Sequence, residues 1–338
     1  MFAELMFWIF GVFILSSIVL AFFYRRPKLG LKRPVKCVVV TVGDRKVLPA
    51  LTTTVRGLEK LGLDYVIISS NPLPFKNTFV VPKDRDGNKY RAIRWFVENY
   101  VDEKEWYAFF DDDSFPLDDQ FAREIDWAEE NGYVAANGVL VPRAGRSKLC
   151  FSLDWIRYFD DLTRFRAATG VLHKPLFGLH GELLVVKGEV LKRLWASMPE
   201  SITEDFVFAM ELVKRGYRTW QSRTRVSIQS PNSLRDFIRQ RGRWARGVFA
   251  ASYKYRNALV MVLYSVGVFV NVLFLPVHIL LNQSLVVPAF LASLYYVFVY
   301  MYGALKAKHV LAPFMVWVEI VGSLYSIKQR GFVVIDKS

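Results

Sequence analysis

Three carboxylates in a row, Asp111-Asp112-Asp113, close the apolar run Trp106-Tyr107-Ala108-Phe109-Phe110. A buried strand that ends in acids delivers them to the rim of a sheet, where α/β folds hold their ligands. Adjacent carboxylates repel one another, so the cluster is favoured where a cation compensates it, and oxygen-only ligands suit Mg²⁺ or Mn²⁺. A hard cation there calls for a phosphate partner. The same residues also read as a solvated acidic turn ahead of a helix that opens near Asp118.

Other stretches carry groups of the same chemical kind. Thr41-Val42-Gly43-Asp44 closes an earlier strand and reads either as a plain turn or as backbone amides and a carboxylate that meet a nucleotide. Gly87-Asn88-Lys89-Tyr90-Arg91 precedes a helix and places two cations near its positive end, which makes it a diphosphate cradle or a solvated basic first turn. His173 and His180 have no ligand-type spacing, and His180, beside Gly181 and just before a strand, is the stronger functional candidate. Thr203-Glu204-Asp205 opens a further helix, with Thr203 as an N-cap and the acids complementing the helix dipole. Gln240-Arg241-Gly242-Arg243-Trp244 sets guanidinium groups beside an indole, a diphosphate clamp next to a stacking platform for a sugar ring.

These groups need a scaffold, and the pattern from Val35 onward supplies one. Val35 to Val42 is an apolar β-branched run, Leu48 to Leu61 has helical spacing, and Asp64 to Ser69 is a short strand. Lys89 to Val101 is helical, the run ending at Asp111 is a strand, Asp118 to Asn131 is helical and Tyr133 to Leu140 is a strand. Such alternation predicts a mostly parallel sheet covered by helices, an α/β domain over residues 35–232. Within it, residues 150–168 repeat Phe151, Trp155, Tyr158, Phe159, Leu162 and Phe165 against Asp154, Arg157, Asp161 and Arg164, an amphipathic helix for the sheet or for a membrane interface.

The 338 residues are 53% hydrophobic with a net charge of +14, and the apolar excess sits at the two ends. Leu5 to Tyr24 carries no charge and is long enough to cross a hydrocarbon core of about 30 Å, giving a transmembrane helix within residues 1–26. Arg25, Arg26, Lys28, Lys32, Arg33 and Lys36 follow it, which places the N-terminus outside and the body in the cytoplasm. Residues 233–256 form an arginine-rich interfacial helix, and residues 257–305 a membrane hairpin of Leu259 to Leu281, a turn at Asn282-Gln283-Ser284, and Leu285 to Leu305. Residues 310–338 read as an interfacial or re-entrant helix, which carries Pro313 and Glu319, plus a cytoplasmic tail. Membrane lipid thus accounts for the basic excess, and nucleic acid is not an expected partner, because the cations flank apolar spans and no reader motif accompanies them. Cys37 and Cys150 read as reduced structural thiols.

An aspartate cluster after a strand, a Thr-Glu-Asp, and a Gln-x-x-Arg-Trp on an arginine-rich helix before membrane spans together resemble the inverting family-2 glycosyltransferases of the cellulose-synthase-like group. Within it the chain is similar to the egghead-type β-1,4-mannosyltransferases at Thr41 to Asp44, Val80 to Pro82, Lys89 to Ala92, His173 to Phe177, Glu204-Asp205 and Gln240 to Trp244. The resemblance implies a GT-A fold that binds a nucleotide sugar, GDP-mannose, in a site of Thr41, Gly43, Asp44, Asn71, Lys89, Arg91, Asp111, Asp112, Asp113, Gln240 and Arg243. It implies a divalent cation, Mn²⁺ or Mg²⁺, on Asp111 and Asp113, with Asp205 as general base. A lipid-linked sugar or glycolipid acceptor would meet His180, Gly181, Glu204 and Trp244. Asn71 stands where the family has an acid against the nucleobase, which leaves guanine and uracil both open, and Ile335 replaces a threonine in the segment that closes over the donor in related synthases. A processive synthase using a UDP-sugar, a polyprenyl-phosphate sugar synthase and a non-catalytic membrane scaffold are the competing readings.

Overall fold

The computed structural model describes residues 2–263, 265–267, 287–310 and 317–325. A long helix α1 (Phe2–Phe22) leads into β1 (Val35–Thr41), α2 (Leu48–Lys60), β2 (Tyr65–Ser69), β3 (Thr78–Val80), α3 (Lys89–Tyr100) and β4 (Trp106–Asp111). There follow β5 (Ser114–Pro116), α4 (Gln120–Arg123), α5 (Ile125–Glu130), β6 (Tyr133–Arg143) and α6 (Lys148–Asp160), which continues as a π-helix over Asp161–Val171. Then come β7 (Leu184–Lys187), α7 (Gly188–Trp195), α8 (Glu204–Lys214), β8 (Arg218–Gln229) and α9 (Leu234–Ser252). The chain closes with α10 (residues 256–263 and 265–267), α11 (Val287–Ala307) and α12 (Trp317–Tyr325).

Eight strands form one sheet in the order β3-β2-β1-β4-β7-β6-β8-β5. Strand side chains alternate between its faces. Val38, Val40 and Tyr107 accordingly pack under α3, α7 and α8, while Cys37, Val39 and Phe110 pack under α2, α4 and α5. Cys37 and Cys150 are free and buried, as structural thiols should be.

The sheet is mostly parallel, as the alternation predicts, with six of its eight strands running one way and β7 and β5 reversed. β1, β2, β3 and β4 are parallel, but β7 runs against both β4 and β6, and β5 runs against β8. The α6/π segment and its loop leave the chain at the end of the sheet where β6 finished, so β7 must enter reversed. β8, parallel to β6, had no place in the sequence reading. Its inward residues Thr219, Gln221, Ser222, Thr224 and Ser227 are polar and buried, so it lacks the apolar run that marks a core strand.

Residues 150–168 do not lie on a surface. A third core cluster of Ile14, Leu153, Phe165, Phe237, Ala292, Tyr296 and Val318 joins α1, α6, the π-helix, α9, α11 and α12. The polar side of α6 and of the first turn of the π-helix is buried as well, with Asp154, Arg157, Asp160 and Asp161 all enclosed, because it meets charged partners on other elements, Asp154 with Arg241, Arg157 with Glu182 and Asp161 with His180.

Among the described residues, one helix, over Phe290–Ala307, is long and apolar enough to cross a membrane, and Trp8–Phe22 of α1 forms a shorter apolar stretch. α11 coincides with the second span of the expected hairpin. The later part of that hairpin's first span, the turn at Asn282 to Ser284, and the tail Gly331 to Lys337 with Ile335 lie outside the described residues.

Candidate active site

The C-terminal ends of β1, β2 and β4 open onto a cavity of about 1030 Å³. Its wall carries Thr41, Lys89, Asp111, Asp112, Asp113, His180, Glu204, Asp205, Gln240, Arg243 and Trp244, residues dispersed over the chain and brought together by the parallel half of the sheet and by α8 and α9. This is the rim position expected for a ligand in an open α/β sheet.

Lys89 organises the acidic floor. Its ammonium lies 2.5 Å from Asp111 Oδ1 and 2.9 Å from Glu204 Oε1. Burial opposes its charge, but Asp111, Glu204 and Asp205 hold its pKa well above the ordinary lysine value. Asp205 is fixed by two backbone donors, Gly181 N–H to Oδ2 at 3.0 Å and Phe206 N–H to Oδ1 at 2.8 Å. Burial and the neighbouring Glu204 push its carboxyl up to about 7, against the opposing field of Lys89. A carboxylate poised near neutrality and open to a cleft suits a general base. Thr203 does not cap α8 through its side chain, and the first-turn acids turn inward to this cluster.

Gly181 stands at the centre of the group. A Cβ there would lie 2.6 Å from Lys89 Nζ, 3.4 Å from Asp205 Oδ2 and 3.6 Å from Asp111 Oδ1. Gly181→Ala is therefore expected to displace the Lys89 ammonium and lower kcat/KM for the donor about tenfold or more, with Tm little changed. A steady-state donor titration checks it, and unchanged kinetics would show that the lysine end moves without consequence.

A second charged group flanks the first. Arg157 pairs with Glu182, and the His180 ring, through Nε2, sits 2.5 Å from Asp161 Oδ1, whose other oxygen accepts the Leu140 N–H at 2.7 Å. Burial disfavours the imidazolium, but Asp161 outweighs it and raises the His180 pKa. The π-helical widening begins at Asp161, and such departures recur at functional sites. Trp244 has the Arg241 guanidinium carbon 4.5 Å and that of Arg157 4.9 Å from its ring centroid.

Not every candidate reaches the wall. Arg91 is exposed and pairs with Glu200 at 3.1 Å, away from the cavity. Asn71 Nδ2 donates to the Val42 carbonyl at 2.8 Å, tying the ends of β1 and β2, and the Asp44 side chain accepts the Lys46 N–H at 3.4 Å in the turn before α2. Gly43, with φ at +67°, lets that turn form against Ser69. These residues shape the loops; the wall beside them is Val42, Ser70 and Asp86, with Ser70 Oγ donating to Asp86 Oδ1 at 2.9 Å. Ser70, Asp86, Asp160 and Glu182 also line the cavity without having been singled out as site residues, and only Glu182 carried a signal, its adjacency to His180-Gly181.

Asp111 and Asp113 offer hard oxygen donors in the cavity wall, and the ammonium on Asp111 shows that the cluster accepts a cation. Among the described residues no set of three His, Cys, Asp or Glu side chains converges as a closed cage. That donor set fits Mg²⁺ or Mn²⁺ held by one or two carboxylates, with substrate phosphate and water completing the shell.

The chain belongs to glycosyl transferase family group 2, whose family model matches residues 106–305, a span that holds the aspartate rim, the carboxylate near pKa 7 and the Arg-Trp platform. It is 27% identical over 205 residues to the β-1,4-mannosyltransferase bre-3 of Caenorhabditis elegans, covering 57% of this chain and 45% of that protein. To the β-1,4-mannosyltransferase egh of Drosophila melanogaster it is 26% identical over 253 residues, covering 68% and 55%. The chain spans about half the length of the curated relatives it matches. Among solved structures, the mannosyltransferase PcManGT from Pyrobaculum calidifontis, in complex with GDP-Man and Mn²⁺, aligns with a TM-score of 0.54 at 16% identity over 96% of this chain and 99% of that one. The fold is thus GT-A-like.

Proposed function

We propose that the protein is a membrane-embedded inverting β-mannosyltransferase that moves mannose from GDP-mannose to a hydroxyl of a lipid-linked sugar or glycolipid. The observation that carries this reading is the two-ended cavity. One end holds Thr41, Lys89 and the aspartates, and the other is lined by Met261, Val262 and Val266 of α10, Tyr296 of α11, and Ile320 and Leu324 of α12. A polar end suits a nucleotide diphosphate, and an apolar end between helices suits a lipid-borne acceptor.

In the proposed reaction the acceptor hydroxyl oxygen attacks the anomeric carbon of mannose while Asp205 takes its proton. The new C–O bond forms as the bond to the diphosphate breaks, the electron pair leaves with GDP, and configuration inverts in this single displacement. Lys89, Arg243 and Gln240 hold the diphosphate, Thr41 fixes the Asp112 carboxylate at 2.7 Å, and Trp244 stacks on the acceptor sugar with His180 and Glu204 beside it. A divalent cation on Asp111 and Asp113 supplies neutralisation of the charge that develops on the leaving group.

The membrane part of the proposal rests on apolar side chains exposed on four helices, among them Trp8, Val12 and Val19 of α1, Leu263 and Val266 of α10, Leu294 and Phe298 of α11, and Trp317 and Val321 of α12. An exposed apolar surface shared by neighbouring helices marks a membrane or partner contact. With basic residues just after α1, the catalytic domain is assigned to the cytoplasmic side and the N-terminus outside.

The test is transfer from a panel of radiolabelled nucleotide sugars into total lipid extract with Mn²⁺, Mg²⁺ or chelator. Metal-dependent label from GDP-mannose in an organic-soluble product is expected. Label from a UDP-sugar in high-molecular-weight material would overturn the reading in favour of a processive synthase.

A further inference from the structure

Glu319 is an acid in the apolar sequence of α12, and it is not exposed to lipid. Its Oε2 accepts Arg241 Nε at 2.8 Å, while Arg241 Nη2 donates to Asp154 Oδ1 at 2.8 Å. All three side chains are enclosed, at 9%, 7% and 0% exposure for Glu319, Arg241 and Asp154. The triad therefore ties together α12, α9 and α6, and the close approach needs Gly322, where a Cβ would stand 2.7 Å from Arg241 Cβ.

Two buried carboxylates on one guanidinium fix both the position and the plane of that group, since its donors form a rigid fork. Arg241 in turn lies over Trp244, with its guanidinium carbon 4.5 Å from the indole centroid. Desolvation strengthens such a cation–π contact. The indole is thus seated on a charged group whose own seat is set by α12. Asp154 Oδ2 and Glu319 Oε1 also have no hydrogen-bond partner among the described residues, so the carboxylates are retained at a cost that packing alone does not explain.

We propose that Asp154, Arg241 and Glu319 are positioning residues for Trp244, so that α12 sets affinity for the acceptor sugar while the donor end is untouched. The proposal rests on Trp244 being the acceptor platform, as assigned under the proposed function. Glu319→Gln keeps the size and one acceptor oxygen but removes the charge. In the full-length protein in lipid nanodiscs, this variant is expected to raise KM for the acceptor about tenfold or more, with GDP affinity by calorimetry and Tm within error of the parent. Asp154→Asn is expected to do the same and stands in if the first variant does not fold.

Wild-type acceptor KM in a folded variant would overturn the proposal. So would parallel loss of GDP affinity or Tm, and so would failure of both variants to fold, since each marks a purely structural lock. Trp244→Ala separates the two levels. If it leaves acceptor KM unchanged, the platform reading itself fails; if it raises KM and Glu319→Gln does not, only the triad's role fails.

Discussion

Asp205→Asn is expected to lower transfer by about 10²–10⁴-fold, the range a positioned general base contributes, while leaving GDP binding within a few-fold of the parent. The amide cannot take the acceptor proton, whereas the Lys89 and Arg243 cations that hold the diphosphate in the proposed reaction stay in place. The pH dependence follows from the same carboxyl. Burial and Glu204 push it up to about 7, so its basic form is lost as pH falls through that value. Below it, kcat/KM for the acceptor should drop about tenfold per pH unit, because that profile reports the free enzyme's base. Single-turnover rates from pH 5 to 9 measure both effects. Full transfer by the Asn variant, or a flat profile from pH 5 to 8, would remove Asp205 from the base role.

Lys89→Met should be the most damaging change to the folded state. It leaves Asp111, Glu204 and Asp205 facing one another without the ammonium that now sits 2.5 Å and 2.9 Å from the first two. Removing one partner of a buried ion pair costs about 3–5 kcal/mol, and the lower end applies here because the cleft admits water to a lysine that is 19% exposed. Mn²⁺ or Mg²⁺ should recover part of the lost Tm in this variant and far less in the parent, since the cation replaces the missing charge. Thermal melts with chelator and with metal decide it. A variant as stable as the parent in chelator would show that the acids are protonated, not paired, in the resting site.

Much of the α/β body was legible because local patterns agree with their tertiary setting. The strand ending in Asp111, the helix opening at Lys89, the helix opening at Glu204 and the start of the arginine-rich α9 all appear within a residue or two of where periodicity put them. Two segments that periodicity leaves undecided or unmarked, α6 and β8, share one physical cause, in that their burial is polar. β8 hides threonine, serine and glutamine, and the polar face of α6 turns inward to form ion pairs. Hydrophobic periodicity reports apolar burial only, so a strand or helix face stabilised by internal hydrogen bonds looks like surface.

The sequence by itself carried the resemblance to the family and the acids at the strand end, since the motifs are residue types at local spacings, and that resemblance in turn implied Asp205 as the base and Trp244 as the platform. Only the tertiary structure decided which of the neighbours enter the site. Asn71 and Asp44 bind backbone and Arg91 binds Glu200 at the surface, while Ser70, Asp86 and Glu182 line the cavity. It also decided that Glu319, 78 residues from Arg241, is its partner. Pairing of charges across such separations depends on where a mixed sheet and six packed helices bring the backbone, and no local pattern encodes it.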